Sequence, residues 1–384
     1  MWGGIFNASL SCAIWSGLAM AHITILTVTI FLHRSQSHRA VDLHKGVMHF
    51  FRFWAWFTTG MITKRWVAVH RKHHAKAETQ DDPHSPLIHG IRRILFNGVA
   101  YYRNAGKVVE DVEKYGFGTP DDWLENNIYT PLHRIGILFL LAMNITFFGV
   151  YGLATWLIQI LWIPFWAAGV VNGVAHYVGY RNFEVSDNSR NVFPIGIIIG
   201  GEELHNNHHA YGASAKFSVK WYEFDSGWMV IRGLEKLGLA KVNRTIPVLD
   251  SKDNSSEKAL VQHVLYNKIQ LIEKYCKQVI KPVFKEGEAS SKFPQAKKLL
   301  TRNLTAISID DNNRIDVLLQ RYDNIKVVYE ARKKLEEICK TNKKSFTEIH
   351  ALLQEWCKNA EDSGIDHLAS FSFWLKGMLV HNEG

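Results

Sequence analysis

The chain has 384 residues, of which 47% are hydrophobic and 21% charged, with a mean hydropathy of -0.10 and a formal charge of +9 at pH 7. Those values exclude disorder and collagen-like repeats, and four cysteines (Cys12, Cys276, Cys339, Cys357) without CxxC pairing speak against a zinc ribbon or a cystine scaffold. The charge points to an anionic partner, with nucleic acid, a membrane surface and an acidic substrate all open, and 19 His and 13 Trp are high for this length.

In chain order, the hydrophobicity is unevenly placed. No Asp, Glu, Lys or Arg occurs from Met1 to His33. A membrane span over 8–32 is predicted, since ~20 apolar residues cross a bilayer. The basic n-region and cleavage site of a signal peptide are missing. The next apolar segment, Gly46 to Ile62, contains His49 and Arg52. It reads as an interfacial or partly inserted helix over 46–63. A second charge-free tract runs from Ile135 to Tyr180. It predicts two spans, 135–155 and 158–180, joined by a tight turn near Gly149 to Gly152. Arg34, Arg39, Lys45, Lys64, Arg65, Arg71, Lys72 and Lys76 all follow the first span. The positive-inside rule then places 34–134 in the cytosol, and the chain returns there after Tyr180.

Asp250 to Ser256 reads as a polar linker between a membrane domain, 1–248, and a soluble helical module, 249–384. In that module Val261, Leu265, Ile269, Ile272, Cys276 and Ile280 share one helical face, as do Ile315, Leu318, Tyr322, Ile325 and Tyr329. Further helices are predicted over Phe346 to Trp356 and Ile365 to Val380. The expected fold is an all-α integral membrane protein: three or four transmembrane helices, capped by a cytosolic helical domain carrying a histidine-rich site.

Nine histidines are clustered: His33 and His38; His70, His73 and His74; His205, His208 and His209; and His176, four places after Asn172. In HxxHH the positions i, i+3 and i+4 share one helical face, so three imidazoles can converge on one point. His33 and His38 stand about 140° apart on an α-helix, so they share a site only if the helix frays there or if each ligates from a different side. With His at about one residue in twenty, one HxxHH arises by chance in roughly one such chain in twenty, and two plus an HxxxxH are far rarer. All four groups flank predicted spans on one side. A single site therefore requires that the segment 46–63 does not cross. With no cysteine nearby, imidazole suits Fe, Zn or Cu. Nine ligands exceed one mononuclear site, and two metals with four or five His each use them fully. Glu202, Glu203, Asp81 and Asp82 are near enough in sequence to orient ring N–H groups.

At these residues the chain resembles the membrane fatty-acid desaturases, in particular the acyl-CoA (stearoyl-type) Δ9 branch and its bacterial relatives, over about residues 15 to 245. The family pattern is HRxxxH, HRxHH followed by DPH, NxxxH with GYR, then HNxHH. Here it reads His33-Arg34 to His38; His70 to His74 with Asp82-Pro83-His84; Asn172 to His176 with Gly179-Tyr180-Arg181; and His205 to His209. The resemblance implies a di-iron centre on His33, His38, His70, His73, His74, His176, His205, His208 and His209, with Asn172 acting through water. It implies O2-dependent removal of two vicinal hydrogens from a saturated acyl chain carried on CoA or a lipid, leaving a cis double bond, at Δ9. The chain departs from the animal enzymes by lacking an extra span before the first box and by its long helical tail. It has no His-Pro-Gly-Gly haem motif, so electrons are expected from a separate ferredoxin, ferredoxin-reductase-like or cytochrome b5-like donor. The expected setting is a multi-pass cell (inner) membrane with the site on the cytosolic side and no nucleic acid partner. Arg71, Lys72, Arg181 and Lys216 are candidates for holding headgroup phosphates. The alternatives are a di-iron hydroxylase of an alkyl or acyl chain, and a metal transporter or sensor. Transporters place ionisable ligands within the spans, which these clusters do not.

Overall fold

The computed structural model describes residues 3–246, 256–341 and 344–379. The chain forms two compact units: residues 1–182 with 187–246, and 183–186 with 247–384. Residues 250–255 of the predicted linker, both sides of the predicted 248/249 boundary, and Val380 lie outside the described residues.

The first unit opens with α1 (Leu10–Thr27), capped by the Ser9 hydroxyl and continued by π-helical turns over Val28–Ser37. Then come α2 (Lys45–Thr59), α3 (Thr63–Lys76), the single turn α4 (Pro86–His89), α5 (Ile91–Ala105) and α6 (Val109–Tyr115). An apolar pair follows: α7 (Ile135–Phe148) and α8 (Gly152–Ile163), the latter extended by π-helical turns over Pro164–Val171. The short α9 (His205–Ala210) and α10 (Ser226–Lys236) complete the unit. Two small strand pairs close it: β1 (Val41–Leu43) antiparallel to β4 (Ala240–Val242), and β2 (Ile195–Gly196) parallel to β3 (Phe224–Asp225).

Two stretches are long and apolar enough to cross a membrane, Leu10–Ser37 and Ile135–His176. The second doubles back at Gly149–Tyr151, where Gly152 packs against the Asn144 carbonyl and Trp156 Nε1 donates to Ile137 O (3.2 Å). The turn falls where the glycines placed it, but the predicted break at 155–158 lies inside α8, and its helical run ends at Val171 rather than 180. The reason is the turn's brevity: three residues suffice when Gly149 takes φ +61. Leu138, Phe139, Ile145, Leu153, Leu157 and Leu161 face outward, an arrangement that suits lipid and not a soluble core.

α2 spans 15 residues, about 22 Å, too short for a ~30 Å hydrocarbon core. Its Arg52 is buried and donates to both carboxylate oxygens of Asp122 (2.6 and 2.7 Å) and to Glu125 (3.2 Å). The helix ends at Gly60 in the left-handed region, where a β-carbon would meet the His133 carbonyl at 2.7 Å.

The second unit contains α11 (Glu257–Tyr266), α12 (Lys268–Tyr275, with π-helical turns to Ile280), α13 (Lys281–Glu286), α14 (Ala289–Lys292), α15 (Ala296–Thr301), α16 (Ile309–Arg321), α17 (Asp323–Lys340), α18 (Phe346–Glu361) and α19 (Asp366–Leu379). The two apolar stripes read from the sequence are each broken, at Asn267 and at Tyr322, where the backbone turns extended (φ -132, ψ 98). Tyr275, Leu300, Leu335, Leu353 and Trp356 are buried at its centre, and Tyr275 Oη donates to Val328 O (2.7 Å).

Candidate metal centre

Four elements present the nine clustered imidazoles. His33 and His38 lie on the π-helical turns after α1. There His38 N–H donates to His33 O (3.1 Å), an i→i+5 bond whose wider turn brings the two rings to 4.9 Å between centroids. The helix thus does not fray at the first box; π winding, which the spacing alone did not indicate, brings the two rings together. α3 carries His70, His73 and His74, and α9 carries His205, His208 and His209. His176 ends a 3₁₀ turn just beyond the π-helical extension of α8, so Asn172 and His176 do not share a regular helix.

The imidazoles assemble as two groups, in each of which the ligand nitrogens lie within 4.8 Å of one another. One holds His33, His38, His70, His74 and His208; the other holds His73, His176, His205 and His209. Neither HxxHH motif meets at one point. The i and i+4 histidines of each serve one group and the i+3 histidine serves the other. The cause is helical phase: positions i+3 and i+4 point about 100° apart, to either side of position i. Each helix thus lies astride two sites.

Ring orientation is set from outside. Nδ1 of His33 faces Glu202 (2.6 Å), that of His73 faces Asp82 (3.0 Å), that of His176 faces Glu78 (3.4 Å) and that of His209 faces Asp187 (3.0 Å). A ring that donates Nδ1–H to a carboxylate presents a bare lone pair at Nε2. Across the two groups Nε2 atoms face one another, those of His33 and His176 among them: His33 and His208 at 3.0 Å, His208 and His74 at 2.9 Å, His38 and His70 at 2.8 Å, His176 and His205 at 3.0 Å. Nε2 of His73 and of His209 are buried with no partner among the described residues. Nitrogen lone pairs at such distances are compatible when a cation lies between them, so the donor set fits bound metal. Burial, reinforced by repulsion among neighbouring rings, lowers the pKa of His38, His70, His74, His205 and His208 well below the ordinary imidazole value. Neutral imidazole is the form that ligates.

Of the carboxylates expected from sequence, Glu202 and Asp82 hold rings. Glu203 instead accepts the backbone N–H groups of Ile199 and Gly201, and Asp81 is exposed beside Lys76. Glu78 and Asp187 were missed. Glu78 carries a signal only in its backbone, at φ +61, and burial pushes its carboxyl up to about 7. His84 was read only as part of a motif; it is buried, its ring lies 4.3 Å from that of His73, and it joins His73 and Asp82 in a third cluster. Beneath the first box, buried Arg34 donates to Gly200 O, Ala215 O and Asp225, fixing the loop that carries Glu202.

A cavity of about 580 Å³ reaches members of both groups, including His33, His70, His73 and His205. Asn172 lines it too. Gly98 lets α5 approach the Ala168 carbonyl along its wall. None of the four headgroup candidates lines it. Arg71 is engaged with the carbonyls of Gln36, Ser37, Tyr115 and Phe117, and Lys72 pairs with Asp111 at 2.6 Å. Arg181 and Lys216 also stand apart from the lining, whose cations are Arg65, Arg103, Lys107 and Arg134.

Residues 9–241 match the family profile described as fatty acid desaturase. The chain belongs to the fatty acid desaturase family. A second profile, described as transposase, matches residues 263–379. Among the described residues, every cluster of three or more His, Cys, Asp or Glu able to hold a metal lies in the desaturase unit and none in that tail. The desaturase unit is similar to the probable lipid desaturase ADS3.2 of Arabidopsis thaliana, 32% identical over 59% of this chain and 62% of that protein. It is also similar to the acyl-CoA 5-desaturase AL21 of Anemone leveillei, 30% identical over 59% of this chain and 70% of that protein, and to the sn-1 stearoyl-lipid 9-desaturase of Synechocystis sp., 28% identical over 59% and 71%.

Proposed function

We propose that the chain is an O2-dependent fatty acyl desaturase that places a cis double bond in a saturated chain carried on CoA or a lipid. The observation that carries this reading is the five-and-four division of imidazoles, with carboxylates behind His33, His73, His176 and His209, at the wall of an acyl-sized cavity. His33, His38, His70, His74 and His208 would hold one iron; His73, His176, His205 and His209 would hold the second, with Asn172 beside it through water. Bound there, the two ions would supply the O2 chemistry for removing two hydrogens.

The chain's own residues bind and orient. The apolar cavity wall excludes water and fixes the chain, so that non-reacting carbons position the reacting ones. Arg65, Arg103 and Lys107, which line the cavity from exposed positions, are the proposed partners of a headgroup phosphate in place of Arg71 and Lys72. The proposed setting is a multi-pass cell (inner) membrane with the centre on the cytosolic side, a reading supported by the two long apolar stretches, and a separate carrier is proposed to deliver the electrons. Relatives named for positions 5 and 9 flank the choice of position; Δ9 is the one proposed, on the motif pattern.

Expression in a host lacking unsaturated fatty acids, followed by double-bond location, is the test. A new monoene under aerobic growth is expected. Its absence, or a product gaining one oxygen, overturns the reading. His73→Ala is expected to lose activity entirely; retained turnover would break the assignment of that ring.

A further inference from the structure

The cavity has one end that neither the nine clustered imidazoles nor Arg65, Arg103 and Lys107 account for; of the lining cations only Arg134, one turn from Ile137, stands near it. Along α8 and its extension the lining runs on one face, from Gln159 through Ile163, Ala167 and Val171 to Asn172. No α8 residue before Gln159 lines it, and on the neighbouring helices it stops at Ile137 of α7, Thr58 of α2 and Val28, the first residue of the π-helical turns after α1. These residues are its floor. At the 1.5 Å helical rise, the floor lies about 20 Å along the helix from Asn172.

The floor is polar, although it sits within an apolar stretch long enough to span a bilayer. Gln159 is fully buried; its Oε1 accepts from Asn144 Nδ2 (3.4 Å) and its Nε2 donates to Met20 Sδ (3.0 Å). Asn144 Oδ1 is buried with no partner among the described residues. Thr58 Oγ1 donates to Trp54 O and accepts from Thr24. A polar side chain at such a depth costs free energy, which makes it a marked position. An anionic headgroup belongs with Arg65, Arg103 and Lys107, so the floor is assigned to the methyl end of the chain. An alkyl terminus that pressed further would have to part Gln159 from Asn144 and Met20 and could return no hydrogen bond.

We propose that Gln159 is the length gauge of the acyl site, a specificity-determining residue held in place by Asn144 and Met20. The inference rests on the desaturase reading. The alternative role for such an amide is to tie helices together.

The test feeds saturated fatty acids of graded length to a host expressing the wild type, Gln159→Ala or Gln159→Phe. It reads the fraction of each length converted and the double-bond position. Gln159→Ala is expected to favour chains two carbons longer by roughly tenfold, the scale on which a pocket discriminates a methylene, and Gln159→Phe to favour shorter ones to a similar extent. Either shift alone supports the gauge, so the idea survives the loss of one variant to misfolding. A wild-type length profile in every variant that is active overturns it. So does an equal loss at every length in both, with a lowered melting temperature, which is the signature of helix tying. No monoene from the wild type overturns the desaturase reading itself, and this inference with it.

Discussion

Asp187 and Glu78 do not line the cavity beside the histidines, yet each faces the outer nitrogen of a ring in the four-histidine group. Burial works against the ionised Asp187 carboxylate, but the His209 ring and the Ser189 N–H hold its pKa well below the usual carboxylate range. It therefore remains an anion behind His209, raising the basicity of Nε2. Asp187→Asn keeps an acceptor and loses the charge. We expect about 10- to 100-fold weaker metal retention or turnover, the usual cost of such outer partners. Iron content of the purified variant, measured with its turnover, checks this; wild-type values in both would show that Asp187 is dispensable.

At the scale of elements, α2 tests how the unit is held. Arg52 is buried while Asp122 keeps 44% of its side chain exposed and Glu125 only 7%. Arg52→Leu leaves Glu125 uncompensated. The expected loss is roughly 2 kcal/mol, below the 3–5 of a wholly buried pair because Asp122 can rehydrate. Thermal unfolding of the detergent-solubilised protein measures it, and Arg52→Lys is expected to recover only part, lacking the two-pronged contact. The elements also show what could be read in advance. Apolar stretches and HxxHH helices declare themselves through composition and the 3.6-residue period, and α2 was legible as a short helix that carries Arg52. The allotment of His73 and His208 away from their neighbours was not legible, because it depends on how α3 and α9 face each other across a chain separation of over a hundred residues. Glu78 and Asp187 were hidden for the same reason: only the folded chain brings loop carboxylates behind rings. The broken stripes at Asn267 and Tyr322 show that period alone does not mark where a helix stops.

At the scale of the molecule, the mean hydropathy near zero averages an outward-facing apolar half with a tail that has its own core. Tyr275, Leu335 and Trp356 fill that core, and Arg332 is buried there with Glu336 and the Leu300 and Arg302 carbonyls. Residues 256–384 expressed alone are therefore expected to melt cooperatively. Three thiols report on it: Cys276, Cys339 and Cys357 are buried, and burial pushes Cys276 up to about 11 and Cys339 up to about 12. They should resist alkylation until the fragment unfolds, and prompt modification in the native fragment would contradict an independent core. The π-helical turns that carry the first histidine box have a consequence for how such a molecule changes over generations. A π turn is an α-helix with one residue too many. Five residues separate His33 from His38, so substitutions that restored ordinary α winding there would set the two rings about 140° apart and draw His38 away from His70. Helix regularity and the site are opposed at this point, so selection for stability alone would erase the site.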